Sequence, residues 1–575
     1  MYKIKYLFFL ILLFCLTKNY ISSVPTNTPT NNWAEETLEK LTLDEKIGQL
    51  FIPAKIISPE NNTDIKPDML LKIDKTPIEI LIQEYHIGGI LYLQKTTTPD
   101  MQAKLTQKYQ NLSKIPLFIT QDLEWGLSMR LKNVITFPHN MTLGAIQDNN
   151  LIYKLGKEIG RQCKLIGVNI NFSPVVDINN NPQNPVINDR SFGENKKEVA
   201  QKTILFMSGL QDEGIIACAK HFPGHGDTNI DSHQDLPKLE HNLTRLQNTE
   251  LYPFKKIINA GIKSVMTGHL EIPALEQEEH LPATLSHNIV TKLLKNTLGF
   301  DGLAITDALN MHGVLKHHRP GELELKALLA GNDLLLCPTD TPKAINYIKQ
   351  AIKKDIITEK EIDKKVLKIL QFKENIFKNE TLNLNTPKES ITPDLTSKLH
   401  TKYAYALKKK LYECAITLVQ DQHTLIPVSK NSHKKISYLQ IGTSPQEKVH
   451  SRLQKHLLNL KKYFISQNSD PKTLDTLFTK LKDTEMIIIG LYEMNKYIHK
   501  NYKLSQTTIQ FLHELQDKHK NIILVLFGNP YSLQYFKNIP TIIMAYEDDP
   551  DAQIASAKII VGELKPRGKL PIAAK

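Results

Sequence analysis

The stretch KHFPGHGDTNIDSH, Lys220 to His233, sets three histidines, two aspartates and two glycines directly behind a hydrophobic run. Three readings compete for it. His221, His225, Asp227, Asp231 and His233 form a possible metal set, because imidazole and carboxylate both ligate zinc. Pro223, Gly224 and Gly226 make the stretch a loop, however, so these groups lack the helical backbone of the commonest histidine sites. A solvated glycine loop with no chemistry is the bland reading. The third is an acid/base apparatus. Asp231 and His233 are two residues apart, so in extended chain they project to the same side. A carboxylate that accepts one imidazole N–H orients the ring and favours its protonated form, leaving the other nitrogen to deliver a proton. Such a group serves as general acid and then as general base near neutral pH. Lys220 and His221, at the end of the hydrophobic run, are placed to donate to hydroxyls. A nucleophile must come from elsewhere. GLAITDALNM sets Asp307 directly after another hydrophobic run, where its bland role is to cap a helix beginning near Ala308. A carboxylate with a separate proton donor is the arrangement of retaining glycoside hydrolysis.

These residues need elements to hold them. Eight short apolar runs, 47–54, 87–93, 116–122, 167–177, 214–221, 262–270, 302–309 and 331–338, alternate with amphipathic stretches such as 151–166 and 250–261. Strands alternating with helices argue for an α/β protein with a parallel sheet and crossovers. Eight units between residues 33 and 377 predict an N-terminal (β/α)₈ TIM-like barrel, with an open doubly wound sheet as the alternative. Run after run ends in a polar group: Asp122, Asp177, Lys220 with His221, His269 and Asp307. In a barrel those strand ends open on one face, where active sites are built. Residues 378–400 are polar with two prolines and read as a linker. A smaller C-terminal α/β layered sandwich domain is expected over 401–575, with strands near 415–420, 435–442, 485–492, 521–530 and 541–546. Its strand ends carry few polar groups, which points to a supporting role.

The bulk numbers bound the rest. A chain of 575 residues with 41% hydrophobic and 23% charged content is a soluble globular protein of two or three domains. The start differs. MYKIK is basic and YLFFLILLFCL is an eleven-residue apolar core, so residues 1–23 read as a secretory signal, too short to span a bilayer comfortably. An exported protein, periplasmic or extracellular, follows, with no stable transmembrane span after cleavage. A retained anchor is the exception to that scheme; lipid attachment at Cys15 is disfavoured by bulky Phe14 before it. Cys163, Cys218, Cys337 and Cys414 are far apart and read as small buried apolar residues. The net charge of +12 falls to about +9 without Lys3, Lys5 and Lys18. The lysines are scattered and not interleaved with aromatics, which argues against nucleic-acid binding and leaves open affinity for an anionic polymer or surface.

KHFPGHGDTNIDSH and AITDALNM together resemble glycoside hydrolase family 3, specifically its β-N-acetylglucosaminidase branch. WAEETLEKLTLDEKIGQLF, DLEWGLSMR, VINDRSFG, VMTGHLEIPALE and ALLAGNDLLLCP are similar to further segments of the family's barrel. VLFGNPYSL and GELKPRGKLPI are similar to its second domain. The loop motif is specific to the branch, since most of the family takes its proton donor from the second domain. The resemblance implies Asp307 as nucleophile, His233 as acid/base and Asp231 as its partner. It implies that Asp122, Arg130, Arg190, Lys220, His221 and His269 grip the terminal sugar, with no metal and no cofactor. The substrate implied is a terminal β-linked GlcNAc on a peptidoglycan fragment or a chitooligosaccharide. Trp125-Gly126 stands where members usually have paired glycines, which alters the wall of the pocket. A metal-dependent hydrolase and a catalytically idle carbohydrate-binding barrel are the rival expectations.

Overall fold

The computed structural model describes residues 32–57, 73–93, 97–231, 235–316, 318–378, 395–429 and 433–573. The expected leader, most of the expected linker (379–394), and His233 lie outside the described residues.

The N-terminal half is a closed parallel barrel. Its strands are β1 (Phe51–Ile52), β2 (Ala54–Ile56), β3 (Gly89–Leu93), β4 (Phe118–Gln121), β5 (Ile170–Asn171), β6 (Ile216–Phe222), β7 (Ser264–Thr267), β8 (Leu303–Thr306) and β9 (Leu335–Leu336). Strands β2 to β8 pair in sequence order, each parallel to the next. Only Pro53 separates β1 from β2, because proline has no N–H to continue a ladder. The two therefore act as one broken stave. Its first half pairs with β9, and a parallel bridge from Ile305 to Leu334 ties β9 back to β8. The ring is thereby closed with eight staves, at the eight places where the sequence shows apolar runs, and the open-sheet alternative is set aside. Every residue of β3 and β6 is buried, as parallel strands covered on both faces require.

Amphipathic helices form the outer layer. Helices Asn150–Leu165 and Lys196–Asp212 lie nearly backbone to backbone. A Cβ on Gly156 would stand 2.2 Å from Phe206 O, and one on Gly209 would stand 2.3 Å from Tyr153 O, so only glycine permits this approach. Helix Glu359–Phe377 closes the barrel segment, started by a Thr358/Glu361 capping box.

The C-terminal domain is an open α/β layer. Its strands are β10 (Thr417–Asp421), β11 (Ile436–Ile441), β12 (Lys461–Ile465), β13 (Met486–Leu491), β14 (Ile522–Leu526) and β15 (Thr541–Met544), in the order β10-β15-β14-β13-β11-β12. All pairings are parallel except that of the edge strand β10. Successive residues of β13 alternate between two cores. Ile487, Ile489 and Leu491 join the core that also fills the barrel, while Met486 and Ile488 join a separate one under helix Pro550–Ile560. The two domains thus share apolar packing. Cys163, Cys218, Cys337 and Cys414 are all buried free thiols. No helix among the described residues is long and apolar enough to cross a membrane.

Candidate active site

A cavity of about 420 Å³ opens at the carboxyl ends of the barrel strands. Asp122 enters it from the end of β4, Lys220 and His221 from β6, and Asp307 from the end of β8. Arg130, Arg190 and Asp231 reach it from the loops. The structure therefore brings together seven of the nine residues singled out in the sequence.

The floor is a buried charge network. Lys220 Nζ lies 2.8 Å from Asp122 Oδ1 and 2.9 Å from Glu124 Oε1. Arg130 donates to Asp122 Oδ2 at 2.6 Å, and Arg190 donates to Glu124 Oε1 at 2.7 Å. Three cations against two carboxylates satisfy the rule that buried charge must be paired. Burial alone would raise the Asp122 carboxyl, but Lys220 and Arg130 outweigh it and hold it far below the usual carboxylate range. Burial opposes ionisation of Glu124 as well, and Arg190 with Lys220 brings it down to about 2. Lys220, which burial would depress, is held above its usual range by Asp122 and Glu124. Each carboxylate is thus fixed as an acceptor and each cation as a donor, the state needed to grip hydroxyls.

A third carboxylate, that of Asp177, arranges the loop strand. Asp177 Oδ2 lies 2.7 Å from His221 Nδ1, and its Oδ1 accepts from His225 N at 2.8 Å. With Asp177 accepting from Nδ1–H, the other ring nitrogen of His221, Nε2, is left for the cavity it lines. The peptide bonds Lys220–His221 and Phe222–Pro223 are both cis. His225 also lines the cavity, but burial, and then His221, lower it to about 4, so it is neutral near pH 7 and no proton donor. Its Nδ1 lies 2.9 Å from Thr228 Oγ1.

Three members of the possible metal set take other partners. His221 turns to Asp177, His225 to Thr228, and Asp227 to His241 and Arg245. Asp227, His241 and Glu250 do converge, but the Arg245 guanidinium stands between the two carboxylates, 3.1 Å from one and 3.0 Å from the other. A built-in cation already lies between the carboxylates of that cluster.

Asp307 is not a helix cap. The next helix, His312–Leu315, begins further on after Met311, and Asp307 Oδ1 accepts from Ala308 N, its immediate neighbour, at 2.8 Å. Its own N–H donates to Thr267 O at 2.9 Å, which fixes its backbone to the end of β7. His269 requires a correction. Expected to grip substrate, it is fully buried behind the cavity, with Nδ1 2.9 Å from Thr284 Oγ1 and Nε2 3.1 Å from Ala308 O. It braces the turn next to Asp307 and does not line the cavity.

Four contributors were not assigned a site role from the sequence. Glu124 and Asp177 are fully buried carboxylates that serve the visible donors. Lys496 and Tyr497, from the loop after β13, form a flank of the same cavity. Lys496 Nζ lies 2.9 Å from Asp189, and its carbonyl accepts from Asn188 Nδ2 at 3.0 Å. Asp189 also meets His139 Nδ1 at 3.0 Å, and the His139 ring packs against Trp125 at a tilt of 36°, with centroids 4.2 Å apart. Burial would depress His139, but Glu547 and Asp189 raise it to about 9, so the chain from Trp125 to Lys496 is held by charge. The second domain completes the rim.

Residues 42–372 match the family described as Glycosyl hydrolase family 3 N terminal domain. The chain is 36% identical over 279 residues to β-hexosaminidase A of Pseudoalteromonas piscicida, covering 45% of this chain and 47% of that protein, so it spans less than half of that relative. It is 30% identical over 313 residues to β-hexosaminidase LpqI of Mycobacterium tuberculosis, covering 52% of this chain and 79% of that one. Among solved structures, a glycoside hydrolase family 3 β-N-acetylglucosaminidase from Paenibacillus sp. str. FPU-7 is similar with a TM-score of 0.75 at 30% identity, covering 92% of this chain and 99% of that one.

Proposed function

The chain belongs to glycosyl hydrolase family 3, and we propose that it is a retaining exo-β-N-acetylglucosaminidase that releases terminal β-linked GlcNAc. The observation that carries the reading is the meeting in one cavity of Asp307, from the end of β8, and Asp231, from the loop after β6. Asp307 attacks the anomeric carbon while His233, oriented by Asp231, protonates the departing oxygen. Neutral His233 then takes a proton from water. That water displaces the Asp307 carboxylate from the anomeric carbon and leaves the sugar with its original configuration. Asp122, Arg130, Arg190, Lys220 and His221 hold the hydroxyls of the terminal sugar. The same donor set accounts for the clustered imidazoles without a metal step. The leader in the sequence supports export, which would bring the enzyme to wall fragments.

The substrate best suited to the cavity is a muropeptide-type disaccharide, with GlcNAc joined to an acidic N-acetylmuramic unit. Lys496 and Tyr497 form the flank contributed by the second domain, an ammonium beside an aromatic ring. A ring of this kind stacks on a sugar face, and an ammonium with one N–H engaged by Asp189 keeps donors for a carboxylate. Assays on p-nitrophenyl GlcNAc, its glucose analogue and GlcNAc–MurNAc test the reading. The expected result is rapid turnover of the first and third, little of the second, and a β-configured product by NMR. An inverted product, or equal use of the glucoside, would sink it. Lys496→Gln is expected to lower kcat/KM about tenfold for GlcNAc–MurNAc relative to chitobiose, the value of roughly one charge-assisted contact. An unchanged ratio removes Lys496 from substrate selection.

A further inference from the structure

The segment after Asp227 carries Asp231 to the cavity, and the described residues on either side of it form two feet anchored to the barrel. At the entry foot, Asn184 Nδ2 donates to His225 O at 2.8 Å and Gly226 O at 3.1 Å. A Cβ on Gly226 would lie 1.7 Å from Ile178 O, so this foot is pressed against the loop after β5. Asn181 Nδ2 reaches Asn229 Oδ1 at 2.6 Å, two residues before Asp231. At the exit foot, Leu239 N–H donates to Glu271 O and Glu271 N–H donates to Pro237 O, over a small core of Leu239, Leu246, Leu270 and Ile272. Between the feet stands a charged crossing. His241 Nε2 meets Asp227 Oδ2 at 2.8 Å, and Arg245 joins that same oxygen to Glu250 Oε1. Glu250 is almost fully buried at the start of helix Leu251–Asn259, against Gly224. None of these four groups lines the cavity.

We propose that Asp227, His241, Arg245 and Glu250 are positioning residues whose crossing ties the two feet together and thereby sets how far the Asp231 apex reaches over the sugar. The inference rests on Asp231 and His233 acting as the acid/base pair. Asp227 is the hub, since a single oxygen serves both His241 and Arg245. Glu250 ties the hub to a barrel helix, so the apex is referenced to the same scaffold that holds Asp307. Loosening the crossing misplaces the proton donor and leaves the nucleophile and the sugar grip where they are. General acid catalysis is worth about 10² to 10⁴ in rate, and only where the leaving group needs a proton.

The test is the dependence of kcat/KM on leaving-group acidity, measured with a series of aryl GlcNAc glycosides in the full chain. Asp227→Asn, and His241→Gln as a milder variant at a partly exposed position, are compared with His233→Ala. The expected result is a steeper dependence in all three, with the slowest substrates losing about tenfold in the crossing variants and more in His233→Ala. Arg245→Lys keeps a cation at the crossing and is expected to stay near the parent slope. A uniform loss across leaving groups, or no loss, in Asp227→Asn and His241→Gln while His233→Ala steepens, overturns the positioning role alone. If Asp227→Asn fails to fold, the slope of His241→Gln decides. A flat slope in His233→Ala overturns the acid/base reading, and this inference with it.

Discussion

Asp307→Ala is expected to lower kcat on p-nitrophenyl GlcNAc by at least about 10⁴-fold, the scale seen when a covalent nucleophile is removed from an otherwise intact site. The geometry explains why the loss would be so complete. Asp307 follows β8, and its backbone is locked to Thr267 at the end of β7. Its carboxylate sits in the cavity within the same wall as the cationic floor made by Lys220, Arg130 and Arg190. Water in the vacated space has neither the charge nor the fixed approach to replace it. Stability is expected to change little, because Asp307 is only half-buried. Azide supplies a sharper readout. A small anion entering the vacated space attacks the anomeric carbon from the face Asp307 used, expelling the aryl oxide and giving the α-glycosyl azide. Near-normal turnover, or a β-azide, would remove Asp307 as nucleophile.

What the sequence discloses and what it hides divide along physical lines. The barrel strands are legible because each is buried on both faces, so their apolar runs stand out, as in the uninterrupted burial of β3 and β6. Asp122, Lys220, His221 and Asp307 are legible because chemistry at a strand end interrupts such a run. Strand β12 is not. It is an edge strand reading KKYFI with its lysines and Phe464 exposed, and lysine on an edge is what keeps such strands from pairing with other chains. The role of His269 is hidden for a related reason, since a polar strand end can turn inward to brace its neighbours as easily as toward a ligand. Lys496 and Tyr497 carry no local signal at all, because their importance comes from the seating of one domain on another. Glu124 lies between. Its position two residues beyond Asp122 was in plain view, but its duty to Arg190 and Lys220 exists only once three distant segments meet.

That duty makes Glu124 the site of the second large effect. Glu124→Ala leaves Lys220 and Arg190 buried with one carboxylate fewer, and removing one partner of a buried ion pair costs about 3–5 kcal/mol. Thermal unfolding is expected to show a loss of that order. Activity is expected to fall by about 10²-fold or more in kcat/KM, since both cations then drift from the positions that grip the sugar. Glu124→Gln separates charge from shape. The amide fills the same space and can still accept from Arg190, but it cannot neutralise two cations. The pH dependence has a definite sign. Although burial resists ionisation, Arg190 and Lys220 hold the folded Glu124 at about 2, below its ordinary 4.5. Its folded state therefore binds fewer protons than the unfolded chain, and its contribution to stability is fully present above the ordinary value. That contribution is lost as pH falls from about 4.5 through about 2. The difference in Tm between the parent and Glu124→Gln is expected to be largest near pH 7 (well above both values) and to shrink steadily below about pH 4. A difference that stays constant down to about pH 3 would mean that the glutamate acts by packing and not by charge, and the ionic floor would then need another source of compensation.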